Sequence, residues 1–204
     1  MVAVTVDPAA PVRVLTVCTG NICRSPAVER LLAAGAGGAF RGDVAAGGIE
    51  VGSAGTRAVV GSAMSPQMAA LVASRGLVAD RFVARQLDAA AVREADVVLA
   101  LTRSHRSAVV ELVPAAVRRT YTLRELARLA PLVDPADLAA AGPTPAERLR
   151  ALATLAAAQR GRVHATPDED DVVDPIGQSD ALYARVFDQM AQAVDVIVGT
   201  LRRS

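Results

Sequence analysis

The sequence predicts an α/β fold in which a four-stranded parallel sheet is doubly wound, with helices on both faces. Four short runs of β-branched and other apolar residues are typical of strands, and stretches with apolar residues at helical spacing separate them. The third run is apolar at every position, which indicates a strand covered on both faces. Ligands of such sheets bind beyond the carboxyl ends of the strands. The four runs are residues 12–17, 49–54, 97–101 and 118–122.

The length and the composition favour one domain over residues 1–204. Of the 204 residues, 52% are hydrophobic, which is enough for one sizeable core. The formal net charge is +1, and the 22 basic residues, all arginines, are spread along the chain. We therefore expect no nucleic-acid partner.

Cysteine usage and hydropathy favour a cytoplasmic protein. Cys18 and Cys23 are too few and too close to form the disulfide framework of a secreted domain. Residues 1–11 lack the basic start and the long apolar core of a signal peptide. Every apolar run is too short to span a membrane. The sequence does not indicate an oligomeric state.

The turn after the first strand has the features of an anion site. Apolar residues at helical spacing follow from residue 27 onward, so residues 18–26 join a strand to a helix. The first N–H groups of a helix lack intrahelical partners and lie at the positive end of its dipole, which suits a phosphate-like anion. Gly20 and Asn21 tolerate left-handed backbone angles, which let successive N–H groups point into one concavity.

The side chains of this turn indicate a nucleophile and an anion clamp. A cysteine that faces a helix N-terminus ionises readily, so we expect Cys18 to be a thiolate. The planar fork of Arg24 can hold two phosphate oxygens. Ser25 can donate a hydrogen bond to the sulfur, and Pro26 suits the first helical position. The alternative is a buried structural cysteine in a Gly/Asn turn.

Residues 18–26, Cys-Thr-Gly-Asn-Ile-Cys-Arg-Ser-Pro, resemble the signature loop of the low-molecular-weight protein tyrosine phosphatases. The resemblance implies the Rossmann-like phosphotyrosine protein phosphatase I fold and a phosphatase of phosphorylated proteins that needs no cofactor and no metal. It also implies that Cys18 and Arg24 are catalytic. The implied phosphate-binding residues are Thr19, Gly20, Asn21, Ile22, Cys23, Arg24 and Ser25.

Two further segments resemble the same family. Residues 53–56 resemble the end of its second strand, where a serine helps to hold the asparagine of the signature loop; Ser53 would then support Asn21, and a serine that only caps the strand is the alternative. Residues 84–87 match another family segment. The family often has a histidine just before it, whereas this chain has Phe82 or Val83, so we expect that support to be missing or rebuilt.

Turn and capping signals delimit the other elements. Residues 35–48 are rich in glycine and predict a loop. Helices are predicted from residues 65–66 towards Gly76, and from residues 102–105 to residue 113. Because the family's chemistry does not use a histidine base, we interpret His105 as a helix-start or capping residue and His164 as a loop residue.

Residues 129–171 exceed what the family needs, so we expect a helical insertion within the domain. Residues 144–147, Thr-Pro-Ala-Glu, form a capping box, and the apolar stripe that follows ends before Gly161. We expect this helix to pack on the edge of the sheet or beside the active site. The acidic run of residues 168–171 is interpreted as a solvated loop.

Asp174 and Pro175 precede the last helix, which is predicted from residue 180 to about residue 201. In the resembling family the aspartate of an Asp-Pro pair in this place protonates the leaving group. A positioned acid that protonates a phenolate is worth about 10²–10⁴ in rate. The resemblance therefore implies that Asp174 is the general acid, and an ordinary Asp-Pro turn is the alternative.

The implied reaction is a double displacement through a phosphocysteine intermediate. Cys23 is close enough in sequence to trap an oxidised Cys18 as a disulfide, which would protect it from over-oxidation; the alternative is that Cys23 only packs.

The walls of the predicted site are aliphatic. Family members that act on phosphotyrosine usually have aromatic side chains there, whereas Ile176 and Gly177 follow Pro175, and Ile49 begins the strand that leads to Ser53. Stacking on a phenyl ring is then lost, although aliphatic contact remains.

Protein phosphotyrosine is the first expectation for the substrate, and three alternatives stay open. Related phosphoarginine phosphatases have threonine where Ile22 stands, so that substrate is less favoured. Arsenate reductases share the fold and the loop, but no cysteine follows Cys23, so only a version that uses an external low-molecular-weight thiol remains. A non-catalytic phosphate-binding module is the third alternative.

Overall fold

The predicted doubly wound α/β fold is confirmed. The computed structural model describes residues 10–36, 39–40, 48–163 and 165–202. The described sheet has five strands, β1 (Val12–Cys18), β2 (Ala39–Phe40), β3 (Ile49–Gly55), β4 (Val97–Ala100) and β5 (Thr120–Thr122). All pairings are parallel, and the strand order is β2-β3-β1-β4-β5.

The four predicted strands are β1, β3, β4 and β5, and β2 adds a two-residue edge. β2 lies inside the segment 35–48 that we predicted to be a loop. Residues 37–38 and 41–47 of that prediction lie outside the described residues.

The last strand is shorter than predicted. It begins at Thr120, because the residues before it form a 3₁₀ helix, Pro114–Arg119. The Thr120 hydroxyl donates to the Ala116 carbonyl at 2.8 Å and closes this turn. The predicted start at residue 118 is therefore wrong by two residues.

Helices α1 to α9 connect and flank the strands. The four helices predicted to begin near residues 65, 102, 144 and 180 are present as α2, α4, α7 and α9. The helices are α1 (Arg24–Gly35), α2 (Pro66–Ser74), α3 (Ala89–Glu94), α4 (Arg103–Leu112), α5 (Leu123–Leu129), α6 (Pro135–Ala140), α7 (Pro145–Gln159), α8 (Pro167–Asp170) and α9 (Asp180–Arg202). In the part of the chain that the structure describes, no helix combines the length and the apolar character needed to cross a membrane.

The register brings three strand ends to one edge of the sheet. Cys18 of β1 pairs with Gly55 at the end of β3, and Val17 pairs with Ala100 at the end of β4. Because β3 and β4 lie on opposite sides of β1, the strand order reverses at β1, which is where open parallel sheets bind ligands. The turn that carries Cys18 and Arg24 starts at this point.

Side chains of alternate residues in β1 enter two different cores. Leu15 and Val17 belong to the smaller core, which also contains residues of α3 and α4. Val14 and Cys18 belong to the larger core, which also contains residues of α1, α5, α7 and α9. The nucleophile candidate is therefore fixed from behind by the larger core.

Helix α7, the predicted helix of the 129–171 segment, packs against the edge strand β5. Leu152 is fully buried, and the Tyr121 hydroxyl of β5 donates to the Ala153 carbonyl at 2.5 Å. The Arg160 guanidinium lies 4.2 Å from the centroid of the Tyr121 ring. The helix thus shares the core of the sheet.

The acidic run of residues 168–171 is not simply a solvated loop. Its first three residues belong to α8, and Asp170 pairs with Arg128 at 2.5 Å. Asp171 accepts a hydrogen bond from the Arg103 backbone N–H at 2.7 Å. The prediction is therefore wrong for these two carboxylates, because cationic and N–H partners hold them. His164, predicted in a loop, lies outside the described residues.

Candidate active site

The turn after β1 is held from outside by its carbonyl groups. Four of them accept hydrogen bonds of 2.6–3.0 Å from backbone N–H groups of residues 56–65. The pairs are Thr56 with Cys18, Arg57 with Thr19, Val59 with Gly20, and Ser65 with Ile22. Because N–H and C=O of a trans peptide point in opposite directions, outward carbonyls leave the next N–H groups pointing inward.

These inward N–H groups form an anion cradle. Among the residues that the structure describes, no hydrogen bond uses the N–H groups of residues 19–23. Asn21 adopts the left-handed φ of 53° that the sequence indicated. The cradle lies at the N-terminus of α1, so its N–H groups and the helix dipole favour the same negative charge.

Ser25 faces the sulfur of Cys18. The distance from Cys18 Sγ to Ser25 Oγ is 3.0 Å, and Cys18 is only 2% exposed. Asn21 Nδ2 donates to Ser25 Oγ at 2.9 Å, so the Ser25 proton is free to be donated to the sulfur. The Thr16 hydroxyl donates to the Ser25 carbonyl at 2.8 Å and fixes that residue. The Ser25 hydroxyl is therefore held within hydrogen-bond distance of the sulfur.

The support of Asn21 is rebuilt without the histidine that the family often has. Asn21 Nδ2 donates to Ser53 Oγ at 2.9 Å, and Ser53 Oγ donates to Glu29 Oε2 at 2.6 Å. The Arg85 backbone N–H donates to Asn21 Oδ1 at 2.8 Å. Burial raises the pKa of Glu29, while the Ser53 hydroxyl acts in the opposite direction. The carboxyl group of Glu29 thus anchors a chain of hydrogen bonds that ends on the loop.

Of the two residues that could stand in place of that histidine, Phe82 is buried and Val83 is exposed. The guanidinium of Arg30 lies 5.9 Å from the centroid of the Phe82 ring. Arg85 also binds Ser53, because its Nε donates a hydrogen bond to the Ser53 carbonyl at 2.6 Å.

Among the described residues, the Nε–NH2 edge of the Arg24 guanidinium has no backbone partner. Its NH1 donates to the Val172 carbonyl at 2.9 Å, which anchors the far side. Its NH2 pairs with Asp174 Oδ2 at 2.5 Å. Its Nε is buried and has no hydrogen-bond partner among the described residues. Nε and NH2 form the fork that binds two oxygens of a tetrahedral anion, so this edge fits a phosphate group.

The segment with Asp174 is tied to the end of β4. The Val172 N–H donates to the Leu101 carbonyl at 2.8 Å, and Asp171 Oδ1 accepts from the Arg103 N–H. Asp174 itself is half exposed, with Oδ1 accepting from the Ile176 N–H at 3.3 Å. These bonds hold the carboxylate over Arg24.

Cys23 is the N-cap residue of α1 and is 3% exposed. Burial raises the pKa of the Cys23 thiol to about 12, so this cysteine stays protonated. Both cysteines are free thiols in the structure. In the described chain, no group of three His, Cys, Asp or Glu side chains is placed to hold a metal ion.

His105 reaches the loop, which the sequence interpretation missed. As a helix-start residue it donates its backbone N–H to the Thr102 hydroxyl at 3.2 Å. Its imidazole Nε2 also lies 2.9 Å from Thr19 Oγ1, and its Nδ1 lies 2.8 Å from Thr102 Oγ1. Burial lowers the pKa of His105 to about 4, and the charge of Arg24 acts in the same direction. A neutral ring therefore contacts the residue next to Cys18.

The rim of the site is aliphatic. The side chains of Val59 and Val60 follow β3, those of Val173 and Ile176 flank Asp174, and all four are exposed. Ile49, which we expected among the walls, is 2% exposed at the amino end of β3 and pairs with Val12. That expectation is wrong, because parallel strands carry the site at the opposite end.

Glu29, Arg85 and His105 are the contacts that sequence reasoning missed. Glu29 follows Ser25 by four residues, so the two share one helix face, and this spacing could have indicated it. Arg85 lies in the segment that matched the family. No spacing along the chain indicates the contact of His105, because it joins residues 86 positions apart.

Comparison with known proteins agrees with the fold and the loop. The profile of the family described as low molecular weight phosphotyrosine protein phosphatase matches residues 13–143. The low molecular weight protein-tyrosine-phosphatase Wzb of Salmonella typhi is 34% identical over 102 residues, 50% of this chain and 62% of that protein. The protein-arginine-phosphatase of Geobacillus stearothermophilus is 36% identical over 115 residues, 56% of this chain and 71% of that protein.

Solved structures share the fold over nearly the whole chain. The tyrosine phosphatase AmsI of Erwinia amylovora superposes with a TM-score of 0.65 at 22% identity, over 93% of both chains. The YwlE arginine phosphatase of Geobacillus stearothermophilus superposes with a TM-score of 0.65 at 26% identity, over 94% of both chains.

The parallel sheet carries the loop of Cys18 and Arg24 at its switch point. The chain belongs to the low molecular weight phosphotyrosine protein phosphatase family. It spans 62% of the length of Wzb, and Asp174 lies beyond the residues 13–143 that the family profile matches.

Proposed function

We propose that the protein is a phosphatase that hydrolyses phosphomonoesters, with phosphotyrosine of a protein as substrate, through a phosphocysteine intermediate. One arrangement supports the proposal: Cys18 begins the loop whose N–H groups at residues 19–23 have no partner among the described residues, and the Arg24 guanidinium that follows this loop pairs with Asp174. Membership of the phosphatase family supports the same chemistry.

In the first step the Cys18 thiolate attacks phosphorus. The S–P bond forms while the bond from phosphorus to the phenolic oxygen breaks, and Asp174 gives its proton to that oxygen. The N–H groups of residues 19–23 and the Arg24 fork hold the three other oxygens, where charge develops.

In the second step water hydrolyses the phosphocysteine. Asp174, now a carboxylate, takes a proton from the water, whose oxygen attacks phosphorus while the S–P bond breaks. The thiolate of Cys18 leaves towards the Ser25 hydroxyl, which stabilises it. Inorganic phosphate then leaves the cradle.

Substrate binding has to break the ion pair between Arg24 and Asp174. A phosphate dianion offers Arg24 two oxygens in bidentate geometry, which is stronger than the single contact with Asp174. NH1 stays on the Val172 carbonyl, so the fork turns little. The carboxyl group of Asp174 is then released towards the leaving oxygen.

Phosphoarginine is the second candidate substrate. The relative at 36% identity is named a protein-arginine-phosphatase, and so is the structural neighbour at 26% identity. Ile22, where such enzymes have threonine, supports phosphotyrosine instead. The exposed side chains of Val59 and Ile176 keep apolar contact for the substrate side chain, although they offer no ring on which a phenyl group could stack.

A hydrolysis screen separates these substrates. Peptides that differ only in carrying phosphotyrosine, phosphoarginine or phosphoserine are assayed for released phosphate at equal concentration. We expect the largest kcat/KM with phosphotyrosine. A larger value with phosphoarginine would transfer the assignment to that substrate, and no release from any peptide would contradict the phosphatase itself.

Reduction of arsenate with an external low-molecular-weight thiol uses the same anion loop. We expect no arsenate-dependent oxidation of added thiol. If the wild type oxidised added thiol in proportion to the arsenate present, and Cys18→Ser did not, the protein would be assigned as this reductase and not as a phosphatase.

We also propose that Cys23 protects Cys18 from over-oxidation in a reducing, cytoplasmic setting. Peroxide oxidises the thiolate of Cys18 first, since the Cys23 thiol is protonated, and Cys23 then condenses with the sulfenic acid to release water and form a disulfide. Reductant should restore peroxide-treated wild type but not Cys23→Ala. Equal recovery of both would remove this role.

A further inference from the structure

We infer that His105 is a positioning residue of this reaction: its neutral imidazole holds the Thr19 hydroxyl and thereby fixes the peptide that joins Cys18 to the anion cradle. The inference rests on the proposed function. Its geometric basis is a bridge from Thr102 of the β4–α4 turn, through both ring nitrogens of His105, to Thr19.

The hydrogen-bond partners decide the tautomer of the ring. Thr102 Oγ1 accepts the backbone N–H of His105, and it has one proton to donate. Donation of that proton to Nδ1 leaves the proton of the ring on Nε2, which donates to Thr19 Oγ1. The other tautomer would leave the Thr102 hydroxyl proton without an acceptor among the described residues.

Two contacts hold Thr19, one through its backbone and one through its side chain. The Thr19 carbonyl accepts a hydrogen bond from the Arg57 N–H at 3.0 Å. Among the described residues, the Thr19 hydroxyl is hydrogen-bonded only to His105. His105 is 6% exposed, so water does not readily replace the ring. Because Thr19 accepts from Nε2, its own proton remains free for an oxygen in the cradle.

Charged groups of three elements face the ring. Arg24 of α1 and Arg57 after β3 disfavour its protonation, whereas Asp171 and Asp174 before α9 favour it. Burial adds to the effect of the two arginines, so the ring remains neutral and keeps an acceptor nitrogen for Thr102. A protonated ring would donate from both nitrogens, which would reverse the Thr102 contact and leave the Thr102 hydroxyl proton without an acceptor among the described residues.

Two substitutions separate the contacts of the two nitrogens. The amide of Gln in His105→Gln can reach the place of Nε2 and donate to Thr19, whereas the shorter Asn in His105→Asn reaches only Thr102. We expect His105→Asn and His105→Phe to lower kcat for para-nitrophenyl phosphate by roughly tenfold to a hundredfold with little change in KM, since displacement of a reacting group costs about that much. His105→Gln should retain most of kcat.

The control is Ser104→Ala, which changes an exposed neighbour on the same helix turn. It should leave kcat and KM unchanged. In a Thr19→Val background the loss caused by His105→Phe should disappear, because the hydroxyl that the ring holds is gone. Equal kcat for wild type and His105→Phe, or for His105→Asn and His105→Gln, would overturn the inference.

Nitrogen NMR of the histidine rings in the wild-type protein tests the bridge from His105 to Thr19 without any assay of turnover. This measurement remains decisive if a variant does not fold. His105 is one of two histidines in the chain. We expect it in the neutral form protonated at Nε2 at neutral pH, with its resonance shifted by added inorganic phosphate. Absence of turnover together with this shift would reject the proposed function and keep the bridge; a ring protonated at Nδ1, or unaffected by phosphate, would reject the bridge.

Discussion

In the proposed function, the Arg24 side chain binds the phosphate group and the Asp174 side chain supplies the proton. Arg24 is 3% exposed and bonded on its far side, so its position is set by the fold. Asp174 is half exposed, and its carboxylate accepts hydrogen bonds from Arg24 and from the Ile176 backbone N–H. A buried clamp and a more accessible acid suit a group that binds phosphate and a group that exchanges protons.

The general acid is tested by Asp174→Asn. We expect kcat for phosphotyrosine to fall by about 10²–10⁴-fold, because the amide cannot supply a proton to the phenolate. The loss should be smaller with para-nitrophenyl phosphate, whose leaving group needs less help. Asp168→Asn, an exposed carboxylate of α8, is the matched control. Equal losses for good and poor leaving groups would contradict an acid role for Asp174.

The buried carboxyl group of Glu29 predicts a pH dependence of stability. Burial raises its pKa above the ordinary value of 4.5, so the folded protein binds this proton more tightly than the unfolded chain. The stability that protonated Glu29 contributes is fully present below the unfolded pKa and is lost as pH rises through the folded pKa.

Chemical unfolding of wild type and Glu29→Gln over a range of pH measures this dependence. The unfolding free energy of the wild type, relative to Glu29→Gln, should fall as pH rises above about 4.5. Glu111→Gln, at an exposed position of α4, is the matched control substitution. A difference that grows with pH would mean that Glu29 is held as a stabilised carboxylate.

At the scale of elements, the end of β3 passes very close to the loop of residues 18–26. A Cβ added at Gly55 would lie 2.5 Å from the Thr19 carbonyl oxygen and 3.0 Å from Ala58. Both neighbours include backbone, which cannot move aside without shifting the cradle. Glycine is therefore required where β3 passes under the loop.

Gly55→Ala should lower the unfolding free energy by about 1–3 kcal/mol, as overpacking does, and should lower kcat with it. Thermal unfolding and para-nitrophenyl phosphate turnover measure the two effects. Gly161→Ala is the control, because a Cβ there meets nothing within 4 Å. Wild-type stability and kcat in Gly55→Ala would contradict the close approach.

Elements with a local signal could be predicted, and those fixed by distant contacts could not. The strands β1, β3 and β4 and the capped helices α4 and α7 follow from apolar runs and Thr caps in the sequence. The sequence also contains the capping box of α5, Thr122 with Glu125, which could have predicted the start of that helix. The two-residue β2 has no such signal, because only its pairing with β3 defines it.

The candidate site divides in the same way. The loop of residues 18–26 is contiguous, so its residue types alone indicate an anion cradle. The anchors at Glu29, Val172 and His105 come from three separate elements. The contacts of Val172 and His105 depend on the packing of the whole sheet, which no local pattern encodes, whereas the four-residue spacing from Ser25 could have indicated Glu29.

For the whole molecule, we propose that residues 1–204 fold as one domain in which residues 129–171 are an insertion. Leu152 of α7 is fully buried in the same core as β1 and α9. Leu152→Ala should therefore lower the unfolding free energy by about 2–5 kcal/mol. Denaturant unfolding should remain a single transition that coincides with loss of activity. A separate transition for this segment, with activity retained, would contradict the single domain.

The most direct test is to trap the intermediate. Rapid acid quench of wild type during turnover of a phosphotyrosine peptide, followed by mass spectrometry of the peptide that contains Cys18, should find a phosphoryl group on Cys18. Asp174→Ala should alter its accumulation, and Cys18→Ser should turn over no substrate. Phosphate on any other residue, or undiminished turnover by Cys18→Ser, would contradict a reaction that runs through the sulfur of Cys18.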